Sequence, residues 1–274
     1  MKTKIVILDF DGTLTNTKKE AKPFLIGFKK DIAKLLNKKN IDKEWKKKEK
    51  EIWRNSEIAG GEFRGKIVSR CNVDSYMEAA TIAQQLLEEA KIFKDKNKRD
   101  KVIEEIYRRN YLKTTISFKR GSKEVLEGLI QKISLFIVTN SRPDAIIKKL
   151  EKLNPRGKEK IKIVGDAEKY YADSNFDAVP ETITINGLKR PILLRRKKYF
   201  DVLSRIWKET SYKPKQTLVV GDNLELDLVL PAVLGCNIFL VINSNTPSYE
   251  IEAVTHKFKG YASKDIKDIL KVIN

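Results

Sequence analysis

The pattern of apolar and polar positions divides the chain into a helical stretch and a stretch in which strands and helices alternate. Residues 4–8 read Lys-Ile-Val-Ile-Leu, and this unbroken apolar run predicts a strand buried on both faces. From Phe24 to Tyr107, apolar side chains recur at helical intervals, without strand-like alternation of useful length. We therefore predict that residues 16–114 form an all-helical domain.

Beyond about residue 118, short apolar runs alternate with helical patterns. The predicted strands cover residues 135–138, 161–164, 218–220 and 238–242, and the predicted helices cover residues 122–131, 143–153 and 199–209. Two short strands, 182–185 and 192–194, flank Asn186-Gly187 and predict a β-hairpin, and Ser263 is expected to cap a last helix. This alternation predicts an α/β fold, with a Rossmann-like parallel sheet between helices. Residues 1–15 and 115–274 would form this domain, with the helical domain inserted between them.

The composition narrows the chemistry that the chain can carry. The 274 residues are 41% hydrophobic and 34% charged, a balance typical of globular proteins. Two cysteines, Cys71 and Cys236, and a single histidine, His256, are too few for a disulfide framework, a four-cysteine zinc site or Ser-His-Asp catalysis. The longest mostly apolar run, 228–242, is shorter than a membrane helix, and no signal peptide is evident. We therefore expect a cytoplasmic protein without membrane association, whose catalytic groups are carboxylates.

The chain is strongly basic, with a formal net charge of +19, and the helical domain holds more than its share of the excess. Such a charge favours polyanions and makes nucleic acid a candidate partner. Most of the lysine pairs, however, lie on the polar faces of the predicted helices, where charged side chains are exposed to solvent. We therefore interpret the charge as a surface feature and retain nucleic-acid binding as the alternative.

Polar residues follow three of the predicted strands. Asp9 and Asp11 follow the first strand, Thr139-Asn140-Ser141 follows the strand 135–138, and Asp222 follows the strand 218–220, with Asp227 five residues further on. In a parallel sheet these carboxyl ends lie at one edge, where ligands bind in open α/β folds. Several carboxylates in one crevice repel each other unless a cation lies among them, and an all-oxygen ligand set indicates Mg²⁺.

A magnesium site of this kind suits a phosphate group. Thr139 offers a hydroxyl donor, and the run Arg195-Arg196-Lys197-Lys198 precedes a predicted helix and could supply a cation. A carboxylate can attack phosphorus, and a second carboxyl group two residues away can protonate the leaving oxygen.

The motif Asp9-Phe10-Asp11-Gly12-Thr13-Leu14 resembles the DxDGT signature of the haloacid dehalogenase-like hydrolase superfamily. Thr139 resembles its second motif, and Gly221-Asp222 with Asp227 resembles its acidic fourth motif. The long helical insert is similar to the class-one cap of that family. Dehalogenases lack an aspartate at the position of Asp11, so the resemblance implies the phosphatase branch and a small phosphorylated substrate.

The resemblance also implies roles for individual residues. Asp9 would be the nucleophile, and Asp11 the general acid and base, whose carbonyl oxygen also binds Mg²⁺. Asp222 and Asp227 would complete the metal site, with Glu225 a weaker alternative to Asp227. Thr139 would bind the phosphoryl oxygens, and we add Asn140 beside it as a candidate substrate-binding residue.

The third motif, a phosphate-binding lysine, departs from the family pattern. We assign it to Lys198, which directly precedes a predicted helix, with Lys197 second and Arg195 and Arg196 still open. The loop from Gly60 to Lys66 interrupts the helical domain, and its cations Arg64 and Lys66 are candidates for substrate selection or members of a simple helix connector.

The sequence therefore predicts a Mg²⁺-dependent phosphatase that hydrolyses a phosphate monoester through an aspartyl-phosphate. A phosphomutase would use the same residues and return the phosphate to its product. A nucleic-acid-binding protein or a polynucleotide-end phosphatase would instead account for the basic charge.

Overall fold

The computed structural model describes residues 2–55 and 60–273. The chain forms two compact units. The first comprises Met1–Asn16, Glu62–Ser69 and Phe118–Asn274, and the second comprises Thr17–Gly61 and Arg70–Ser117.

Within the described residues, the strands and α-helices are numbered in chain order. The strands are β1 (Ile5–Leu8), β2 (Gly60–Phe63), β3 (Lys66–Arg70), β4 (Ser134–Val138), β5 (Lys162–Val164), β6 (Thr182–Ile183), β7 (Ile192–Leu193), β8 (Thr217–Gly221), β9 (Asn237–Val241) and β10 (Tyr261–Ser263). The helices are α1 (Thr17–Leu35), α2 (Asp42–Arg54), α3 (Ser75–Glu89), α4 (Lys96–Tyr111), α5 (Ser122–Ile130), α6 (Pro143–Leu153), α7 (Lys197–Thr210), α8 (Val229–Val233), α9 (Ser248–Glu252) and α10 (Ile269–Val272).

The first unit is built on a six-stranded parallel sheet in the order β10-β9-β8-β1-β4-β5. β1 lies near the centre, where Ile7 pairs with Phe136 of β4 on one side and Val219 of β8 on the other. Ile5 and Ile7 belong to the apolar core on one face of the sheet, whereas Val6 and Leu8 belong to the core on the other face. Burial on both faces explains the unbroken apolar run of this strand, and it confirms the predicted α/β class.

Most of the predicted elements of this unit form within one or two residues of their expected bounds. The C-terminal end differs, because Ser263 does not cap a helix. It is the last residue of the edge strand β10, and the Asp265 side chain instead accepts a hydrogen bond from the Lys267 N–H where the final helical segment begins. Three residues are too few to show strand periodicity, so this edge strand could not be recognised from its pattern.

The predicted hairpin around Asn186-Gly187 is present, because β6 and β7 pair antiparallel. A second hairpin, β2–β3, lies within the stretch predicted to be wholly helical. Its connection is Arg64-Gly65, and both residues have positive φ, 51° and 73°, the backbone form that two-residue hairpin loops require. Residues Glu62–Ser69 of this hairpin group with the α/β unit, although the sequence prediction assigned them to the helical domain.

The second unit packs α1, α2, α3 and α4 around its own apolar core. Phe24 and Phe28 of α1 stack at 5.1 Å, and Trp45 of α2 meets the Phe28 ring edge-on. Asp74 and Asp95 cap α3 and α4 through side-chain hydrogen bonds to backbone N–H groups. None of the described helices is both long enough and apolar enough to cross a membrane.

Candidate active site

The first strand brings Asp9 to the carboxyl edge of the sheet. The Asp9 backbone N–H donates to the Val220 carbonyl oxygen of β8 at 2.8 Å. The side chain is nearly buried, and its Oδ2 accepts a hydrogen bond from the Thr13 hydroxyl at 3.0 Å. The sheet register therefore holds the Asp9 carboxylate at the point where β1 and β8 end together.

Two glycines allow the remaining carboxylates to lie against the backbone. Gly12 has a φ of +84°, and a Cβ atom there would collide with the Asp222 carboxylate. Gly221 ends β8, and a Cβ atom there would collide with the Asp227 side chain. The absence of a side chain at both positions makes room for the acidic groups.

A single π-type turn, Leu224–Leu228, carries Asp227 between β8 and α8. The Asp227 Oδ2 atom accepts a hydrogen bond from the Asn223 N–H at 3.2 Å, and its carbonyl oxygen accepts one from the Tyr199 hydroxyl at 3.0 Å. Both contacts hold the turn in place, so that the Asp227 side chain is buried beside the end of the sheet.

Glu225, the weaker alternative to Asp227, has a different partner. Its fully buried carboxylate accepts two hydrogen bonds from the Arg190 guanidinium, at 2.7 and 2.9 Å. This bidentate ion pair uses both carboxylate oxygens of Glu225.

Asp9, Asp222 and Asp227 form an acidic cluster, in which each offers an oxygen atom within 4.8 Å of the others. Burial, followed by the charge of Asp227, raises the pKa of Asp9 to about 7. Three carboxylate oxygens at this spacing fit a hard divalent cation such as Mg²⁺, which takes oxygen ligands.

Lys169 places its ammonium group within this cluster, and no pattern in the sequence predicted it. Its side chain is 1% exposed, and Nζ donates to Asp9 Oδ1 and to Asp227 Oδ1, each at 2.8 Å. Burial opposes the charge of this ammonium group, but Asp227 and Asp9 outweigh it and raise the pKa of Lys169. Lys169 is therefore a permanently charged group between two carboxylates.

The basic run chosen for the third motif has other partners. Lys198 forms an ion pair with Glu168 and lies over the Tyr171 ring at 4.7 Å, and Lys197 pairs with Asp201 one helical turn later. Lys198, with Lys197 as second choice, was predicted to be the phosphate-binding lysine. In the structure, the lysine that contacts Asp9 is instead Lys169. Lys169 lies in an irregular segment after β5, where no periodic pattern draws attention to it. The one feature of the sequence that could have indicated Lys169 is its position, four residues beyond Gly165, where β5 has ended at the same edge of the sheet.

Asp11 points to a different set of groups. Its Oδ2 accepts a hydrogen bond from the Ser141 hydroxyl and its Oδ1 one from Lys149 Nζ, both at 2.6 Å. Its side chain is 27% exposed, so one carboxyl group at this edge keeps access to solvent. Ser141 and Lys149, in the loop after β4 and on α6, are site residues that the sequence analysis did not assign.

The segment after β4 lies along the segment that carries Lys169. Thr139 is buried, and its carbonyl oxygen accepts a hydrogen bond from the Ala167 N–H at 3.0 Å. The Asn140 Oδ1 atom accepts a hydrogen bond from the Lys169 N–H at 2.8 Å. These two residues, predicted to bind substrate, therefore border the Lys169 loop.

The two cations expected to select substrate lie on the β2–β3 hairpin. Arg64 is exposed at the turn, with its guanidinium 5.0 Å from the centre of the Tyr171 ring. Lys66 is exposed at the start of β3. Since Tyr171 is two residues beyond Lys169, the Arg64 side chain lies beside the segment that carries the buried lysine.

Asn243, just after β9, supports the acidic cluster from the other side. Its Nδ2 donates to Asp222 Oδ2 at 2.7 Å and to the Gly12 carbonyl oxygen at 3.2 Å, and its Oδ1 accepts from Lys119 Nζ at 2.6 Å. Burial lowers the pKa of Lys119, and the nearby Asp222 opposes that effect. This arrangement orients the Asp222 carboxylate.

Comparison with known proteins identifies the family. A family model described as haloacid dehalogenase-like hydrolase matches residues 3–230, most of the chain. The chain belongs to the haloacid dehalogenase-like hydrolases. It is thus an enzyme of the hydrolase class, as its motifs predict. No curated protein matches this chain.

Solved structures of other haloacid dehalogenase-like hydrolases share the fold. YfnB from Bacillus subtilis, described as a HAD-hydrolase bound to magnesium, is 16% identical, with a TM-score of 0.57 and 100% coverage of both chains. A predicted phosphoglycolate phosphatase from Haemophilus somnus is 17% identical, with a TM-score of 0.57 over 100% of this chain and 99% of that one. A subfamily IA hydrolase from Geobacter sulfurreducens is 15% identical, with a TM-score of 0.51 over 99% and 97%. At these identities the similarity is one of fold.

Proposed function

We propose that this hydrolase is a Mg²⁺-dependent phosphatase, which cleaves a phosphate monoester through a phosphorylated Asp9. The observation that carries the proposal is the position of Lys169, 2.8 Å from both Asp9 and Asp227 within the acidic cluster. A buried cation beside a buried carboxylate suits a reaction in which a phosphate dianion approaches that carboxylate. Lys169 replaces Lys198 as the proposed phosphate-binding lysine.

The metal site in this proposal uses Asp9, Asp222 and Asp227, with the Asp11 carbonyl oxygen as a further ligand. The donor set consists of oxygen atoms, and the raised pKa of Asp9 reflects its burial first and the nearby charge of Asp227 second. A bound Mg²⁺ would neutralise charge on the phosphoryl group and on the carboxylates. Asn243 would hold Asp222 in the orientation that the site needs.

The first chemical step belongs to Asp9. Its carboxylate oxygen attacks phosphorus, and the bond from phosphorus to the ester oxygen breaks as the acyl-phosphate bond forms. Asp11 donates its proton to the departing oxygen, so that the leaving group departs as an alcohol. Lys169 and Thr139 bind the phosphoryl oxygens while their charge redistributes.

The second step returns the enzyme to its starting state. A water molecule attacks the phosphorus of the acyl-phosphate and gives a proton to Asp11, while the bond from phosphorus to the Asp9 oxygen breaks. Inorganic phosphate leaves, and both carboxyl groups regain their first protonation states. Ser141 and Lys149 hold the Asp11 carboxyl group at the solvent-exposed side of the site.

The substrate in this proposal is a small phosphorylated molecule. Arg64 and Lys66 at the exposed hairpin turn would contact its leaving group and thereby select among esters. The Arg64 guanidinium contacts Tyr171, two residues beyond Lys169, and this contact favours such a role over that of a plain connector between helices.

The test is a panel of phosphate monoesters with free phosphate as the readout, assayed with Mg²⁺, with excess EDTA and with Ca²⁺. We expect hydrolysis of at least one ester with Mg²⁺, none in EDTA, and poor activity with the larger Ca²⁺. Hydrolysis that continues unchanged after extensive dialysis against EDTA would refute the metal-dependent mechanism.

A further inference from the structure

Arg196 is a completely buried arginine that neither the acidic cluster nor the proposed chemical steps use. Its guanidinium donates to three backbone carbonyl oxygens, those of Leu193 at 3.0 Å, Lys169 at 2.9 Å and Val68 at 2.7 Å. Burial lowers its pKa to about 10, so the group remains a cation at neutral pH. The Arg196 guanidinium therefore links three chain segments that are distant from one another in sequence.

One of these segments carries Lys169, whose backbone N–H and carbonyl oxygen both form hydrogen bonds with side chains. The Lys169 N–H donates to Asn140 Oδ1, and the Lys169 carbonyl oxygen accepts from Arg196. The two preceding residues with positive φ, Asp166 and Glu168, show that this loop adopts an unfavourable backbone form. External hydrogen bonds are therefore needed to keep the Lys169 backbone where Nζ reaches both carboxylates.

The second segment is the β2–β3 hairpin. Val68 of β3 shares the Arg196 guanidinium with the Lys169 carbonyl oxygen, so one planar group joins the hairpin backbone to the lysine backbone. At the hairpin turn, the Phe63 ring lies 5.2 Å from the ring of Tyr170 and 5.4 Å from that of Tyr171. The hairpin therefore contacts the Lys169 segment at two points.

We propose that Arg196 is a positioning residue, which fixes the backbone of Lys169 and fastens the β2–β3 hairpin to it. The inference rests on the proposed function, because it gives Lys169 the phosphate-binding role. A guanidinium suits this task, since its rigid fork serves several carbonyl oxygens at once, whereas an ammonium group on a flexible stem does not.

The test compares Arg196→Lys with Ile206→Ala, a cavity variant at a buried position of α7, the helix that begins directly after Arg196. Displacement of a positioned group by about 1 Å can cost roughly 100-fold in rate. For Arg196→Lys we expect a 10- to 100-fold lower kcat and a similar increase in the inhibition constant of inorganic phosphate. Ile206→Ala should lose thermal stability with kcat and phosphate inhibition near the wild-type values. Equal behaviour of the two variants at equal loss of stability would overturn the proposal.

A second variant keeps the test decisive if Arg196→Lys does not fold. Asn140 is exposed, and Asn140→Ala removes the hydrogen bond at the other end of Lys169 without opening the core. We expect a several-fold lower kcat and weaker inhibition by phosphate, together with faster amide exchange in residues 168–171, which the loss of a direct substrate contact would not cause. Unchanged values would show that the Lys169 backbone needs no such support, which contradicts the proposal.

Hydrogen exchange separates this inference from the proposed function. In Arg196→Lys, but not in Ile206→Ala, amide exchange should accelerate together in residues 62–69 and 168–171. This measurement needs no substrate, so it tests the positioning role even if the wild-type enzyme hydrolyses none of the monoesters. Unaltered exchange in both segments would refute the link between hairpin and lysine.

Discussion

Lys169 lies between two carboxylates, and its loss would leave their charges uncompensated in a buried site. We predict that Lys169→Met lowers kcat/KM roughly 100-fold or more, the scale seen when one transition-state donor is removed. Lys198→Met removes a half-exposed lysine that pairs with Glu168 and is the matched control, with little expected change. The rate of phosphate release from the best ester, measured for both variants, shows which lysine the reaction needs. A larger loss in the Lys198 variant would restore the assignment made from sequence.

Gly12 makes room for the Asp222 carboxylate, and an added methyl group should displace it. We predict that Gly12→Ala weakens Mg²⁺ activation about tenfold, because Asp222 must rotate away from Asp9 and Asp227. Gly235→Ala is the matched control, since Gly235 also has positive φ, 89°, but a Cβ atom there meets nothing within 4 Å. Both variants should lose roughly 1–2 kcal/mol of stability, because a Cβ atom is strained at positive φ.

The Mg²⁺ concentration for half-maximal activity measures the difference between the two glycine variants. Equal activation constants for both would show that backbone strain, rather than the contact with Asp222, explains any effect.

The identity of the acidic residues could be predicted from sequence because strand ends in a parallel sheet converge. Asp9, Asp222 and Asp227 are brought together in the structure. Lys169 could not be predicted in this way, since it occupies an irregular loop, where its backbone is hydrogen-bonded to Asn140 and to Arg196 rather than to a neighbouring strand.

Among the elements, the buried strands are the most predictable. β1, β4, β8 and β9 each combine an apolar run with burial on both faces, so that the pattern and the environment agree. The hairpin β2–β3 could not be predicted in this way, because its strands are short, β2 is only partly buried, and the turn between them consists of Arg64-Gly65 alone.

That hairpin also carries a prediction about specificity. Arg64→Ala and Lys66→Ala should alter the ratio of kcat/KM values among anionic esters, while a small generic ester is hydrolysed at near the wild-type rate. The reason is that both side chains are exposed and lie outside the acidic cluster. The ester panel provides the measurement. Equal losses on every ester would assign these residues to the chemistry instead.

The π-type turn that carries Asp227 depends on the buried pair of Arg190 and Glu225. We predict that Arg190→Met destabilises the fold by about 3–5 kcal/mol, because it leaves the Glu225 carboxylate buried without its partner. The double variant with Glu225→Leu should recover most of this loss. Chemical denaturation of the three proteins tests the pair. A double variant no more stable than Arg190→Met would contradict the explanation.

For the whole molecule, the net charge of +19 leaves nucleic acid as the competing partner. In the helical unit, an open cavity of about 420 Å³ is lined by apolar side chains and by the lysines Lys22, Lys29, Lys30 and Lys39. We predict weak oligonucleotide binding that disappears with added salt, because counterion release is its only driving force. Titration of labelled single- and double-stranded oligonucleotides at several salt concentrations measures this. Submicromolar binding near physiological salt, with release of an end phosphate, would favour a polynucleotide substrate.

The central claim is that Asp9 becomes phosphorylated during turnover. The most direct measurement is rapid acid quenching of the enzyme with its best ester and Mg²⁺, followed by mass spectrometry of the peptide that contains Asp9. We predict one phosphoryl group on Asp9 in the wild type, its accumulation in Asp11→Asn, and its absence in a folded Asp9→Asn variant that releases no phosphate. Turnover by Asp9→Asn at near the wild-type rate, without any phosphorylated aspartate in either protein, would contradict the account.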